Sequence, residues 1–316
     1  RSSGEPAEVS RAGTVRRPAV AGAFYPGEPD RLRELVRLQL AEAARHAASA
    51  GHAAHPEPPL GILVPHAGLT YSGVVAASAW RLAAALPVAL PDDRPLTVVL
   101  LGTNHRASWL DGIGAWPAGS WQTPIGRHAV DEDLAASIVE LGPPFVVDPD
   151  AHLQEHSVEV QLPFLSAVAP DARIVPLATS DGIGPEAVEA GRRLGEELAM
   201  RAAAGSSVLL AISTDMAHYP SGIEAEAVTN GLRPAITALD PVGLAAAEAC
   251  LRERAAMGRG PRGLACGMCG IEPAVVGLAA LRAMGALRGT VLGAATSADA
   301  GGPPDRTVGY LAVRFD

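Results

Sequence analysis

Four short apolar runs constrain this chain more than any other feature: LGILVP (60–65), LTVVLLG (96–102), ARIVPLA (172–178) and SVLLAIS (207–213). Each is continuously apolar at its centre, without the alternation of a strand that keeps one wet face. Such runs mark strands buried on both sides, as in a parallel sheet covered by helices. The segments between them carry helix signals. Residues 30–48 follow Pro29-Asp30, while 72–86 open at Ser72, 131–141 at Asp131 and 185–204 at Pro185. Further helices are expected over 222–238, 241–256 and 273–285, and GTVLGAATSAD and TVGYLAVRFD read as two closing strands. This alternation predicts an α/β fold: one mixed or mostly parallel β-sheet flanked by helices, a single domain over 16–316. The opening RSSGEPAEVSRAG has no apolar stretch, so residues 1–15 read as a tail and not as a signal peptide.

Composition removes several chemistries. With 25 basic and 34 acidic residues the net charge is −9, which argues against a nucleic-acid partner held through phosphates. All 25 basic residues are Arg, so these 316 residues hold no Schiff-base, P-loop or general-base lysine. Three cysteines, Cys250, Cys266 and Cys269, cannot build a disulfide framework and fit a reducing cytoplasm. No uncharged apolar run is long enough to predict a membrane span.

The residues just beyond the apolar runs point to chemistry. His66 comes just after the first, Asn104 and His105 just after the second, and Asp215 and His218 just after the fourth. If these strands are parallel, their carboxyl ends share one edge of the sheet, where open α/β sheets bind ligands. Three imidazoles and a carboxylate gathered there are ligands for a divalent transition metal, or a proton-transfer set. Each residue alone has a plainer reading: His66 a turn hydrogen bond, Asp215 a cap for a helix near Tyr219. Recurrence after three separate runs favours a site.

Other stretches bear on the same question. In HLQEHSVEVQLPFL (152–165), a helix would set Glu155 and Glu159 on one face, with His156 beside Glu159. That arrangement can ligate a metal or orient a base, whereas the alternative is an amphipathic surface turn. In LACGMCGIEP (264–273) the C-x-x-C has no second pair, which excludes a four-cysteine zinc site. A thioredoxin-type pair lacks its strand–helix context, so one thiolate completing a histidine metal site is the more economical reading. Cys250, in AAAEACLRER, is expected to be a buried small hydrophobe. His46, His52 and His55 read as part of a solvated connector. Trp109, Trp116 and Trp121 either pin a long loop or line a pocket mouth.

Together, RRPAVAGAFYP (16–26), VPHAGLTYSG, LGTNHR, WQTPIG, EHSVEVQLPF, STDMAHY and CGIEP, in that order, resemble the Memo family, to which the AmmeMemoRadiSam system B proteins belong. The resemblance runs from about residue 16 to the C-terminus. It implies an α/β sandwich like that of the class III extradiol dioxygenases, which are non-haem iron(II) enzymes. It also implies metal ligands at His66, His105 and Cys269, with Asp215 and His218 lining the same pocket and His156 matching the histidine of the E-H-S motif. The family segment usually has one cysteine; here Cys266 stands three residues earlier and can compete as a ligand. Glu272 offers a carboxylate in place of the thiolate, but the alignment of Gly270 and Pro273 favours Cys269.

The function this implies is a metal-dependent redox enzyme, an Fe(II) oxygenase or oxidase acting on a small-molecule substrate, with copper or zinc as the other candidate metals. His218, oriented by Asp215, would then serve as acid/base, with His156 as a further catalytic group. The competing readings are a binding or regulatory adaptor, since some relatives bind phosphotyrosine peptides, and a zinc hydrolase. Prokaryotic relatives are associated with a radical SAM protein and a small AMMECR-type protein, which the resemblance therefore suggests as partners.

Overall fold

The structure is a computed structural model that describes residues 14–49, 58–84, 86 and 95–316. Of the connector histidines, His52 and His55 lie outside the described residues, and His46 is exposed near the end of the first helix. The chain begins with β1 (Val15–Arg16), α1 (Pro29–Ser49), β2 (Gly61–Val64), α2 (Leu69–Ala83) and β3 (Thr97–Thr103). Next come β4 (Ile113–Ala115), β5 (Ser120–Thr123), β6 (Gly126–Ala129), α3 (Glu132–Glu140) and β7 (Phe145–Val147). A 3-10 turn at Glu159–Gln161 leads into α4 (Leu162–Val168), β8 (Arg173–Thr179), α5 (Glu186–Ala203), β9 (Val208–Ser213) and β10 (Met216–His218). Last are α6 (Gly222–Thr237), α7 (Pro241–Ala256), β11 (Cys266–Met268), α8 (Ile271–Ala283), β12 (Gly289–Thr296) and β13 (Val308–Phe315).

The main sheet has the order β11-β10-β13-β2-β9-β3-β8-β4-β7, with β12 paired to β13, and β1-β5-β6 form a small second sheet. At its centre β2, β9, β3 and β8 run parallel. They fall on the four continuous apolar runs, and every residue of the four strands is buried except Arg173 and Val208. On either side the sheet turns antiparallel, β13 against β2 and β4 against β8. This is the mixed α/β fold expected. Among the described residues no helix is long and apolar enough to cross a membrane.

Helix boundaries follow local chemistry. The Asp131 side chain accepts from Leu134 N–H at the start of α3, Asp240 from Gly243 N–H at the start of α7, and Ser221 and Glu224 form a capping box on α6. α2 starts at Leu69, ahead of Ser72, because Leu69 N–H already has a partner in Phe24 O. Two expectations need correcting. Cys250 is exposed: the buried stripe of α7 is Pro241, Leu244 and Glu248, and two further residues rotate the side chain by about 200° from Glu248. Residues 155–158 are not helical, so Glu155 and Glu159 do not share a helix face. Of the three tryptophans, Trp116 and Trp121 are buried, whereas Trp109 is exposed with Nε1 3.2 Å from Asp148 Oδ2.

The N-terminal strand brings in one buried cation. Arg16 Nη1 donates to Glu159 Oε2 at 2.6 Å, its Nε and Nη2 donate to His152 O, and Nη2 donates to Glu155 O. The guanidinium lies 4.1 Å from the Trp121 ring centroid. Glu159 also accepts from Tyr25 Oη and from the N–H groups of Ala19 and Val20. Both members of the ion pair are nearly free of solvent, so removing one strands the other. Arg16→Ala is expected to cost about 3–5 kcal/mol in urea unfolding followed by Trp fluorescence. A loss below about 1 kcal/mol, the range of surface pairs, would contradict this role.

Candidate metal centre

The parallel strands β2, β3 and β9 deliver the site from their carboxyl ends. His66 follows β2 by two residues, His105 follows β3 by two, and Asp215 follows β9 by two. His156 arrives from the irregular segment before the 3-10 turn, which runs against the end of β3. Ser157 Oγ donates to Thr103 O at 2.8 Å, and a Cβ on Gly102 would sit 2.5 Å from that hydroxyl, so the approach requires glycine.

Three imidazoles meet there. One ring nitrogen from each of His66, His105 and His156 lies within 4.8 Å of the others, the group among the described residues able to hold a metal ion. His105 and His156 stack with centroids 4.5 Å apart, and His66 meets both edge-on at 5.3 and 5.4 Å.

Hydrogen bonding sets the tautomers. Glu155 Oε1 lies 2.9 Å from His105 Nδ1 while Oε2 accepts the His105 N–H. A carboxylate can only accept, so Nδ1 carries the proton and Nε2 keeps its lone pair. Ser213 Oγ donates to Ser157 O at 2.6 Å, accepts from Gln161 Nε2 and lies 3.0 Å from His66 Nδ1. With its hydrogen already committed it must accept from Nδ1–H, which leaves the His66 Nε2 lone pair facing Cys269 Sγ at 3.2 Å. His156 Nδ1 is buried and makes no hydrogen bond, although Glu155 Oε1 lies 3.3 Å away at an unfavourable angle. Two directed lone pairs and one orphaned nitrogen fit a metal ion.

Electrostatics agree. Burial, then repulsion from His105 and His156, holds His66 well below the usual imidazole range. Burial outweighs the Glu155 carboxylate at His156 and lowers it to about 4. His218 is also lowered to about 4, by burial and then by His105. Burial would raise Glu155, but the hydrogen bond and charge of His105 and the charge of His156 prevail and hold it well below the usual carboxylate range. Cys269 is pushed well above the usual thiol range by burial and then by Asp215. The neutral imidazoles are in the form that binds metal.

The remaining candidates lie close by with different partners. Asp215 Oδ1 accepts from the N–H groups of His66 and Ala67, and burial raises its carboxyl to about 7 despite them. It neither caps a helix nor bonds His218 among the described residues. The His218 Nδ1 lies 3.6 Å from Cys266 Sγ, across the antiparallel pair β10–β11. Cys269 Sγ lies beside His66 but outside the three-imidazole group, and Glu272 Oε1 accepts from Gly182 N–H. Beside His105 opens a polar cavity of about 340 Å³ lined by Asn104, Arg106, Ser180 and Asp181.

The model of the Memo family, described as Memo-like protein, matches residues 16–314. The chain belongs to the Memo family. A MEMO1 family protein of Methanopyrus kandleri is 33% identical over 310 residues, covering 95% of this chain and 98% of that protein. One of Methanothermobacter thermautotrophicus is 32% identical over 307 residues, covering 94% and 98%. The crystal structure of uncharacterized protein JW3007 from Escherichia coli K12 is similar at a TM-score of 0.47, with 15% identity over 81% of this chain and 99% of that one. That likeness is too slight to carry the fold class, which rests on the topology above.

Several residues that shape this Memo site escape a reading of the sequence. Ser213 and Gln161, which fix the His66 ring, stand at the end of an apolar run and inside a polar stretch. Their only signal is a polar residue where burial is expected. Glu155→Gln should weaken binding of a transition metal about 10- to 100-fold, because a neutral amide holds the His105 tautomer poorly. Competition against a chromogenic chelator measures this, and unchanged affinity would remove Glu155 from the site.

Proposed function

We propose that this Memo protein is a metal-dependent redox enzyme, a non-haem iron(II) oxygenase or oxidase acting on a small organic substrate. The observation that carries the proposal is the group of three converging imidazoles, with the thiol of Cys269 3.2 Å from one of them. His66, His105 and His156 would hold the ion, and Cys269 would add a thiolate. Nitrogen and sulfur donors favour iron, copper or zinc over magnesium or calcium. Four such donors would close a tetrahedral zinc site and leave no position for a hydrolytic water, which weighs for iron and against a zinc hydrolase. When bound, the ion would supply Lewis acidity and electron exchange with dioxygen.

The chain's own groups supply the rest. The cavity beside His105 admits a small polar molecule, with the Arg106 guanidinium at its rim. His218, neutral above about pH 4, acts as the base, and Cys266 Sγ at 3.6 Å steadies its ring. Asp215 acts through the backbone, holding the His66–Ala67 turn so that the His66 ring faces the site. The hydrogen bonds of Glu155 and Ser213 keep both Nε2 lone pairs directed.

Anaerobically purified protein should contain iron, and His66→Ala, His105→Ala and His156→Ala should each lose most of it. Full occupancy in the three variants would sink the donor assignment. Oxygen uptake with catechols and related aromatic substrates tests the reaction class; a flat trace with hydrolytic turnover would favour zinc. A second measurement concerns the thiol. Between pH 6 and 8 the wild type should release about one more proton per metal bound than Cys269→Ser, because Cys269 must ionise to bind. Equal release would leave Cys269 outside the donor set.

A further inference from the structure

Between the start of α5, one stripe of α7 and the first turns of α8 lies a cleft of about 570 Å³. Val188, Val242, Ala245, Ile271 and Val275 give it apolar walls, and Val242 is 64% exposed. The volume falls in the range of small-molecule sites, roughly 300–1,000 Å³. Three charged residues also line it: Glu248, Arg252 and Glu272.

Glu248 is the unusual member. It is 2% exposed, and its Oε1 accepts from Arg252 Nε at 2.9 Å and from Gly267 N–H at 3.0 Å. Its Oε2 is enclosed and has no hydrogen-bond partner. A Cβ on residue 267 would lie 2.3 Å from that oxygen, so glycine there leaves it room. An enclosed carboxylate oxygen without a donor is costly, and the apolar walls offer none. Charge is unbalanced in the same sense. Two carboxylates face one guanidinium, which is already paired to Glu248, while Glu272 is met by backbone groups, the Gly182 N–H at 3.3 Å and that of Gly184. The lining of the cleft therefore carries one more carboxylate than cation.

We propose that this cleft binds an amphipathic amine, a small molecule whose apolar body lies between α7 and α8 and whose ammonium group sits beside Glu272 and Glu248 and offsets the excess carboxylate. The proposal does not depend on the reading of the metal centre. The two are nevertheless neighbours, because the Gly267 N–H held by Glu248 belongs to β11, between Cys266 and Met268.

The test is calorimetric titration of the full chain, stripped of metal by chelation, with n-alkylamines from butyl to octyl and with the matching n-alkanoates. Amines should bind at least tenfold tighter than alkanoates of equal length, with affinity rising about fourfold per methylene. Glu272→Gln should narrow the preference for amines, and Ala245→Trp, which fills the cleft, should abolish binding. Glu248→Gln should weaken amines at least tenfold. Thermal unfolding confirms that each variant is folded; should Glu248→Gln not fold, Glu272→Gln and Ala245→Trp decide. Equal binding of amines and alkanoates, no binding of either, or an undiminished affinity in Ala245→Trp would overturn the proposal. None of these outcomes bears on iron content, so a failure here is distinct from a failure of the metal assignment.

Discussion

Within the seven residues Glu155–Gln161, four polar side chains are almost wholly removed from water: Glu155, Ser157, Glu159 and Gln161. Each would be ruinous to stability without a partner, and each finds one far away in the chain. Glu155 takes His105, Ser157 takes the Thr103 carbonyl, and Glu159 takes Arg16 and Tyr25. Gln161 bridges Trp80, Pro65 and Ser213. One short segment thus fastens the ends of β2, β3 and β9 and the N-terminal strand to one another. The orientation of the imidazoles is a by-product of that fastening.

The same burial decides the charge state of the site. Imidazoles packed with centroids about 5 Å apart cannot all be cations away from water, so His66 and His156 shed their protons. A carboxylate stays ionised among them because it is encircled by donors. The result is a pocket of directed lone pairs with the Glu155 carboxylate behind it.

Much of this is legible in the residues. Unbroken apolar runs identify the central strands, since a strand covered on both faces has no reason to alternate, and side-chain caps such as Asp131 and Asp240 mark their helices closely. The convergence of His66 and His105 follows from strands running the same way. The segment 155–161 resists such reading because its polar groups are satisfied by partners 50 or more residues distant, and helical spacing misdescribes it. Asp215 and His218, so close in sequence, diverge because the chain enters β10 between them: the first serves the His66 backbone and the second faces Cys266. Cys250 shows the converse error, in which residue type suggested burial and rotation about the helix axis decided otherwise.

The strand order carries a last implication. β2 and β3, which bear His66 and His105, are not neighbours, since β9 lies between them. At about 4.8 Å per step the two bearing strands stand roughly 10 Å apart, each hydrogen-bonded to the intruder and not to the other. All three imidazoles are synthesised by residue 156, yet the wedge that sets their spacing begins only at residue 208. A nascent or partly melted chain therefore owns the imidazoles without the gauge that separates them, and their convergence becomes a signature of the fully inserted strand.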